Sequence, residues 1–270
     1  MRILCCIKRV PAPGARINVT DDGQAVETAH LGFTTSPHEE CAVEEAVLLT
    51  EAHGGTVTVL TAGPAEAEEQ LRYAASVGAH ELILIPIDDA DRPWDPQRTA
   101  AALASAIQTA EADGGPFDLI LFGNESADSG GHQVGVRVAR ALGRPIVNGI
   151  KGIELSEDDP DTVVARRAVD AGFEVYHLPR PAVLGVKEGL NLPRYPTMRG
   201  RLASKKAEVR AIGSDAAAGG QAMVRLHRPA EQESTTEVLA DPSAAPEDVA
   251  VTVVDLLEEI GVLAVDGGAS

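Results

Sequence analysis

The chain has 270 residues, a formal net charge of −18, 44% hydrophobic residues and only 3% aromatic ones. That charge excludes nucleic acid as the main partner, since phosphate backbones need a basic surface, and the length allows one substantial core with an appendage. No apolar run of about 20 residues offers a membrane span, and Cys5, Cys6 and Cys41 lack metal-ligand spacing and read as reduced thiols of a cytoplasmic protein.

With few aromatics, the core must come from Ala, Val, Leu and Ile, which suits a parallel sheet under helices. Four short, nearly continuous apolar runs read as strands covered on both faces: Ile3 to Ile7, Thr56 to Thr61, Leu82 to Ile85 and Leu119 to Phe122. Helical patterns lie between them. Glu39 to His53 stops at Gly54-Gly55, Glu66 to Val77 at Gly78, Thr99 to Ala112 before Gly114-Gly115, and Gln133 to Leu142 at Gly143. The alternation predicts an α/β fold with a doubly wound, mostly parallel, Rossmann-like sheet.

After Pro145 the rhythm changes. Ile146 to Leu155, Thr162 to Ala168 and Phe173 to His177 read as strands of a β-hairpin insertion, separated by EDDPD and DAG turns, and Ala182 to Val186 returns to a buried strand. From Gly185 to Arg210 there are seven Lys/Arg against two Asp/Glu, so an acidic protein turns basic exactly where Asn191 to Thr197 reads as a Pro-punctuated loop leading to Met198. A basic loop on an acidic body meets a negative partner. The expected nucleotide-binding domain is 1–212, with a loop at 191–200. Residues 213–245 then read as a flexible acidic linker or C-terminal arm, and 246–263 as an amphipathic helix with Val249, Val253, Leu256, Leu257 and Ile260 on one face. From Ser214 to Ser270 eleven Asp/Glu stand against two Lys/Arg.

Open α/β sheets bind ligands at the carboxyl ends of their strands. Four segments converge there: Cys6 to Pro11, Ser36-Pro37-His38-Glu39, Thr61-Ala62-Gly63-Pro64, and Gly123-Asn124-Glu125-Ser126-Ala127-Asp128-Ser129-Gly130-Gly131-His132-Gln133-Val134-Gly135. The fourth carries most of the signal. Small residues feed a helix expected to start near His132, so backbone N–H groups and the helix dipole face an anion such as a nucleotide phosphate; a Gly-rich connection without a ligand is the plain alternative. There is no Walker lysine motif and no GxGxxG after the first strand. Asp128 either contacts a ribose or caps the turn. His38 and His132 have no serine, acid or metal partner at a telling spacing, and the Glu39, Glu40, Glu44, Glu45 group reads as helix-start solvation.

These segments together resemble the β subunit of electron transfer flavoprotein over about residues 1 to 210. The resemblance is carried by CIKRVP (Cys6 to Pro11), Ser36-Pro37 followed by ECAVEEA, AGP (Ala62 to Pro64) with Arg72 and Gly78-Ala79, GNESADSGGHQVG, and the stretch with Arg166, Asp170, Gly172, Glu174 and Pro181, completed by NLPRYPTM and Lys205-Lys206. The chain departs from that pattern at Ala12, Ser36, Leu192 and Gly185.

The resemblance implies a fold like that of the adenine-nucleotide α-hydrolases and an electron carrier subunit rather than an enzyme. It implies an α subunit that holds most of an FAD, and AMP held structurally in the β crevice by Cys6, Ser36 to Glu39, Ala62 and Gly123 to Val134. It further implies electrons taken from dehydrogenases, such as those acting on acyl-CoA in fatty acid oxidation, and passed to a quinone-linked oxidoreductase. Glu174 is then expected at the flavin-domain interface, and Met198, ringed by Arg194, Arg199 and Arg201, as the anchor of a recognition loop. Gln133-Val134-Gly135 and Leu192 equally resemble bifurcating members that hold a second FAD in this crevice. An ATP-using α-hydrolase-type enzyme would carry SGGxDS after its first strand, which this chain lacks, and a nucleotide-sensing stress protein would have no use for the basic stretch.

Overall fold

The apolar runs become the centre of one large sheet in the computed structural model, which describes residues 1–88, 94–156, 158–217, 219–230 and 238–263. In chain order the elements are β1 (Arg2–Ile7), β2 (Val10–Pro11), β3 (Phe33–Thr34), α1 (Pro37–His53), β4 (Thr56–Gly63), α2 (Glu68–Val77), β5 (Glu81–Pro86), α3 (Pro96–Gly114), β6 (Leu119–Gly123), α4 (Val134–Leu142), β7 (Ile146–Leu155), β8 (Thr162–Val169), β9 (Gly172–Pro179), β10 (Ala182–Val186), α5 (Met198–Ser204), β11 (Val209–Ala211) and α6 (Pro246–Glu259). The large sheet has the order β11-β5-β4-β1-β6-β10-β7-β8-β9. It is parallel from β11 through β7 and antiparallel at β8 and β9.

Side chains alternate across β1, and the two faces bury different helices. Ile3, Cys5 and Ile7 pack with Val43, Ala46 and Val47 of α1 and with Leu71 of α2. Leu4 and Cys6 pack with Leu103 and Ile107 of α3 and with Val138 of α4. A strand buried on both faces has no polar side to show, which is why its sequence is a continuous apolar run. Each such Ile or Leu contributes about 1.5–3 kcal/mol by leaving water. All three cysteines are free thiols in this core.

Three elements differ from the sequence reading. The expected hairpin insertion is a three-strand meander that continues the main sheet to its edge, because β7 pairs with β10 and so inherits the sheet rather than leaving it. Met198 heads a short helix rather than sitting within a loop: Thr197 is extended and its hydroxyl accepts the Gly200 N–H at 3.0 Å, a side-chain N-cap. The arm expected to be free from residue 213 is tied down much further. Ile212 N–H reaches Leu84 O at 2.9 Å, Arg98 Nε reaches Ala216 O at 3.1 Å, and Leu226 N–H reaches Gly23 O at 2.8 Å.

The chain divides into a unit at Met1–His227 and a second at Arg228–Ser270. In the second, α6 starts with Pro246 in its first turn, where a missing N–H costs nothing, and none of its residues is buried. Glu157, Ala218 and residues 231–237, which belong to the expected turn and arm, lie outside the described residues.

Candidate functional site

β1 lies between β4 and β6, and the chain leaves it in opposite directions, through α1 to β4 and later through β6 to β10. The crevice beyond the carboxyl ends of β1 and β6 is thus the switch point at which such sheets hold ligands.

One wall is the start of α1. Ser36 is extended, its hydroxyl accepts the Glu39 N–H at 3.3 Å, and the Glu39 carboxylate accepts the Ser36 N–H at 3.1 Å. This capping box, with Pro37 in the first turn, satisfies two orphan donors and fixes where the helix begins. It also traps a carboxyl group inside the protein. Burial pushes the Glu39 carboxyl up to about 7, against the opposing pull of the Ser36 and Lys8 N–H groups and the Lys8 charge. The neighbouring Cys6 thiol is pushed well up, first by burial and then by Cys5 and Glu39, so it is no nucleophile.

The opposite wall is the segment from Gly123 to Gln133. A Cβ at Gly123 would stand 2.8 Å from Glu39 Cγ and 3.2 Å from His38 Cβ, so only glycine lets β6 end against α1. Beyond it Asn124 N–H donates to Val186 O at 2.8 Å and Gly130 N–H to Ser126 O at 2.9 Å. The Ser126 and Ser129 hydroxyls are 2.7 Å apart. Gly130 and His132 both have positive φ, +53° and +51°. A left-handed residue cannot continue a helix, so α4 begins at Val134 rather than near His132. Gln133, the N-cap, is right-handed and offers no side-chain cap. Positive φ at Gly130 and His132 and a first turn with no side-chain cap make this a segment of the kind that can present backbone N–H groups to an anion. A Cβ at Gly131 would meet nothing within 4 Å.

Polar side chains cross the crevice. Lys8 Nζ, just past β1, lies 2.7 Å from Asp128. Glu125 lies 2.5 Å from His132 Nε2 and 3.7 Å from His38 Nε2, while His38 Nδ1 accepts the Glu188 N–H at 2.8 Å.

Comparison with known proteins sharpens this geometry. A family model described as the electron transfer flavoprotein domain matches residues 25–217. The chain is 36% identical over 202 residues to an electron transfer flavoprotein subunit beta from Bacillus subtilis, covering 73% of this chain and 75% of the relative. It is 32% identical to one from Thermoanaerobacterium thermosaccharolyticum (80% and 79% covered) and 33% identical to one from Mycobacterium tuberculosis (77% of each). The chain belongs to the electron transfer flavoprotein β-subunit family.

The crevice has a glycine floor at Gly123, open space at Gly131, and a start of α4 with no side-chain cap. The structure brings the Ser36-Pro37-His38-Glu39 start of α1 against the segment that begins at Gly123. Cys6 is buried in β1 and Ala62 is half-buried near the end of β4, so both contribute backbone and wall rather than reactive groups. The Asp128 carboxylate accepts from Lys8, which belongs to the converging Cys6 to Pro11 segment but was given no role of its own by the sequence reading.

The expected partner-binding residues separate into two groups. Met198 is 75% exposed at the head of α5, with Leu202 at 62% and Tyr195 at 89%, and Arg199 and Arg201 are exposed beside them. Three large apolar side chains are thus exposed within one short segment. Arg194 is different. Its guanidinium binds Glu44 through Nε at 3.0 Å and Glu51 through Nη1 and Nη2 at 2.7 and 2.9 Å, and its backbone N–H donates to Glu44 as well. It is a clamp on α1 rather than a free steering charge, because the carboxylates that surround it cancel its field. A second clamp went unnoticed in the sequence: Arg72 Nη1 on α2 reaches Ser204 O, Lys205 O and Ala207 O at 3.1, 3.3 and 2.9 Å, capping α5. Glu174 sits on the exposed edge strand β9, bonded to Arg167 and Tyr176 and flanked by exposed Phe173 and Val175.

Among the described residues no helix is long and apolar enough to cross a membrane.

Proposed function

We propose that this chain is the β subunit of a heterodimeric electron transfer flavoprotein, with AMP in the switch-point crevice and an α subunit that holds most of the FAD. The observation that carries the reading is the Gly123–Val134 segment, which leads into a helix start with no side-chain cap in a chain of this family. FAD, when bound, supplies the redox chemistry. This chain's residues bind and orient: Gly123 to Val134 cradle the nucleotide phosphate, the α1 start walls the adenosine, and β9 with Glu174, Phe173 and Val175 presents an apolar, charged edge to the α subunit. Electrons come from a donor dehydrogenase that docks over Met198, Leu202, Arg199 and Arg201, and leave to a quinone-linked oxidoreductase. A compartment such as the cytoplasm, with its reducing poise, suits three buried free thiols.

A second reading places another FAD in the same crevice and makes the complex bifurcating. Gln133-Val134-Gly135 and Leu192 resemble bifurcating members as much as they resemble the simple carriers. Denaturing the purified complex and chromatographing the released nucleotides decides between them. One AMP and one flavin per dimer supports the carrier; two flavins and no AMP supports bifurcation. Release of neither AMP nor a second flavin contradicts both.

A further inference from the structure

Lys8 and Asp128 meet across the switch point, one from the end of β1 and the other from the segment after β6, and the two strands are neighbours in the sheet. The pair joins the chain leaving β1 to the segment that forms one wall of the crevice. Its side chains remain 43% and 30% exposed. A half-exposed ion pair contributes little to folding, so it is a poor strap but an easily exchanged contact.

Several other basic side chains near the crevice are engaged elsewhere. The Arg9 guanidinium stacks over Phe33 at 3.4 Å. Arg137 is bonded to Gln133 at 3.2 and 3.0 Å. His38 has Nδ1 occupied by Glu188 N–H, and His132 leans on Glu125. Lys8 carries a compact charge with three donors on a flexible stem; its ammonium is bonded to Asp128, and its charge also reaches the buried Glu39 carboxyl. A lysine beside a concavity of backbone N–H groups is suited to an anion's charge in a way that N–H groups alone are not.

We propose that Lys8 is the phosphate-binding cation of this crevice and that Asp128 is its exchangeable counterion, competing with the phosphate for the ammonium group. This rests on the nucleotide reading of the crevice. It assigns to one side chain the discrimination between a nucleotide and its nucleoside.

The test is equilibrium binding of AMP and of adenosine, by calorimetry, to the full chain with its co-purified subunit after bound nucleotide is removed. Lys8→Gln should weaken AMP by roughly tenfold or more, the loss of a charge-assisted contact, and leave adenosine unchanged. Lys8→Arg should recover part of the loss. Asp128→Asn should act in the opposite direction, tightening AMP and also inorganic pyrophosphate, because the competing carboxylate is gone. AMP binding equal to wild type in Lys8→Gln overturns the assignment. So does a parallel loss of AMP and adenosine in both Lys8→Gln and Asp128→Asn, which would make the pair a strap that holds the loop. Wild-type protein that binds neither AMP nor adenosine overturns the nucleotide reading itself, and the assignment with it.

Discussion

Replacing Arg194 with glutamine tests how the docking segment is held. Two pairs are lost at once, and they are unequal. Glu51 is 56% exposed, and its share is about 0–1 kcal/mol. Glu44 is 6% exposed, and stripping the cation from a buried carboxylate costs about 3–5 kcal/mol in general. The backbone N–H of residue 194 still reaches Glu44, so the lower end, about 3 kcal/mol, is expected. At 1.4 kcal/mol per decade this is roughly a hundredfold increase in local opening. Hydrogen exchange of the amides from Asn191 to Ser204 reads it directly, while amides of β1 and β6 should be unaffected. Adding Glu44→Gln to the variant should restore most of the protection, since the cost lies in the unpaired buried charge. Exchange within threefold of wild type in Arg194→Gln, or no recovery in the double variant, would refute the clamp.

Four further outcomes follow from other contacts. Glu39 has a folded-state pKa of about 7 against 4.5 in the unfolded chain, so between those values the folded protein binds more protons. Stability should therefore fall as pH rises from 4.5 through 7, by up to about 3 kcal/mol, and stay lower above it; Glu39→Gln should flatten that slope in melting curves, and parallel curves would contradict it. A Cβ at Gly200 would stand 2.2 Å from Ser76 O, a backbone atom of α2, so Gly200→Ala should lift α5 and cost about 1–3 kcal/mol in urea unfolding. Met198→Ala should raise the donor concentration needed for half-maximal flavin reduction about thirtyfold, from about 2 kcal/mol at a central anchor, with flavin and nucleotide content unchanged; an unaltered titration would make α5 a merely structural cap. Removing residues 240–270 should leave the Met1–His227 unit folded and weaken the heterodimer in a dilution series, because α6 keeps Val251, Val253, Val254 and Ile260 exposed for a partner; undiminished affinity would place its role elsewhere.

Much of the fold was legible in the residues themselves, and for a physical reason. A strand covered on both faces must be continuously apolar, so Ile3 to Ile7 and Leu119 to Phe122 announce themselves, and glycines at positive φ, such as Gly54 and Gly143, mark where helices stop. The Ser36-Pro37-His38-Glu39 start of α1 is likewise local chemistry, a cap written within four residues. The start of α3 was equally readable in Asp95-Pro96, where Asp95 accepts the Arg98 N–H at 2.8 Å, yet the apolar pattern alone placed it three residues late. Charge partners were not legible. Arg194 reads as a free cation in a basic stretch, and its carboxylates are about 150 residues away in sequence; Lys8 and Asp128 are 120 apart. Local sequence sets backbone preferences and burial patterns, because those depend on neighbours a few residues away. Which side chains neutralise one another depends on which strands the sheet places side by side, and that only the tertiary structure decided.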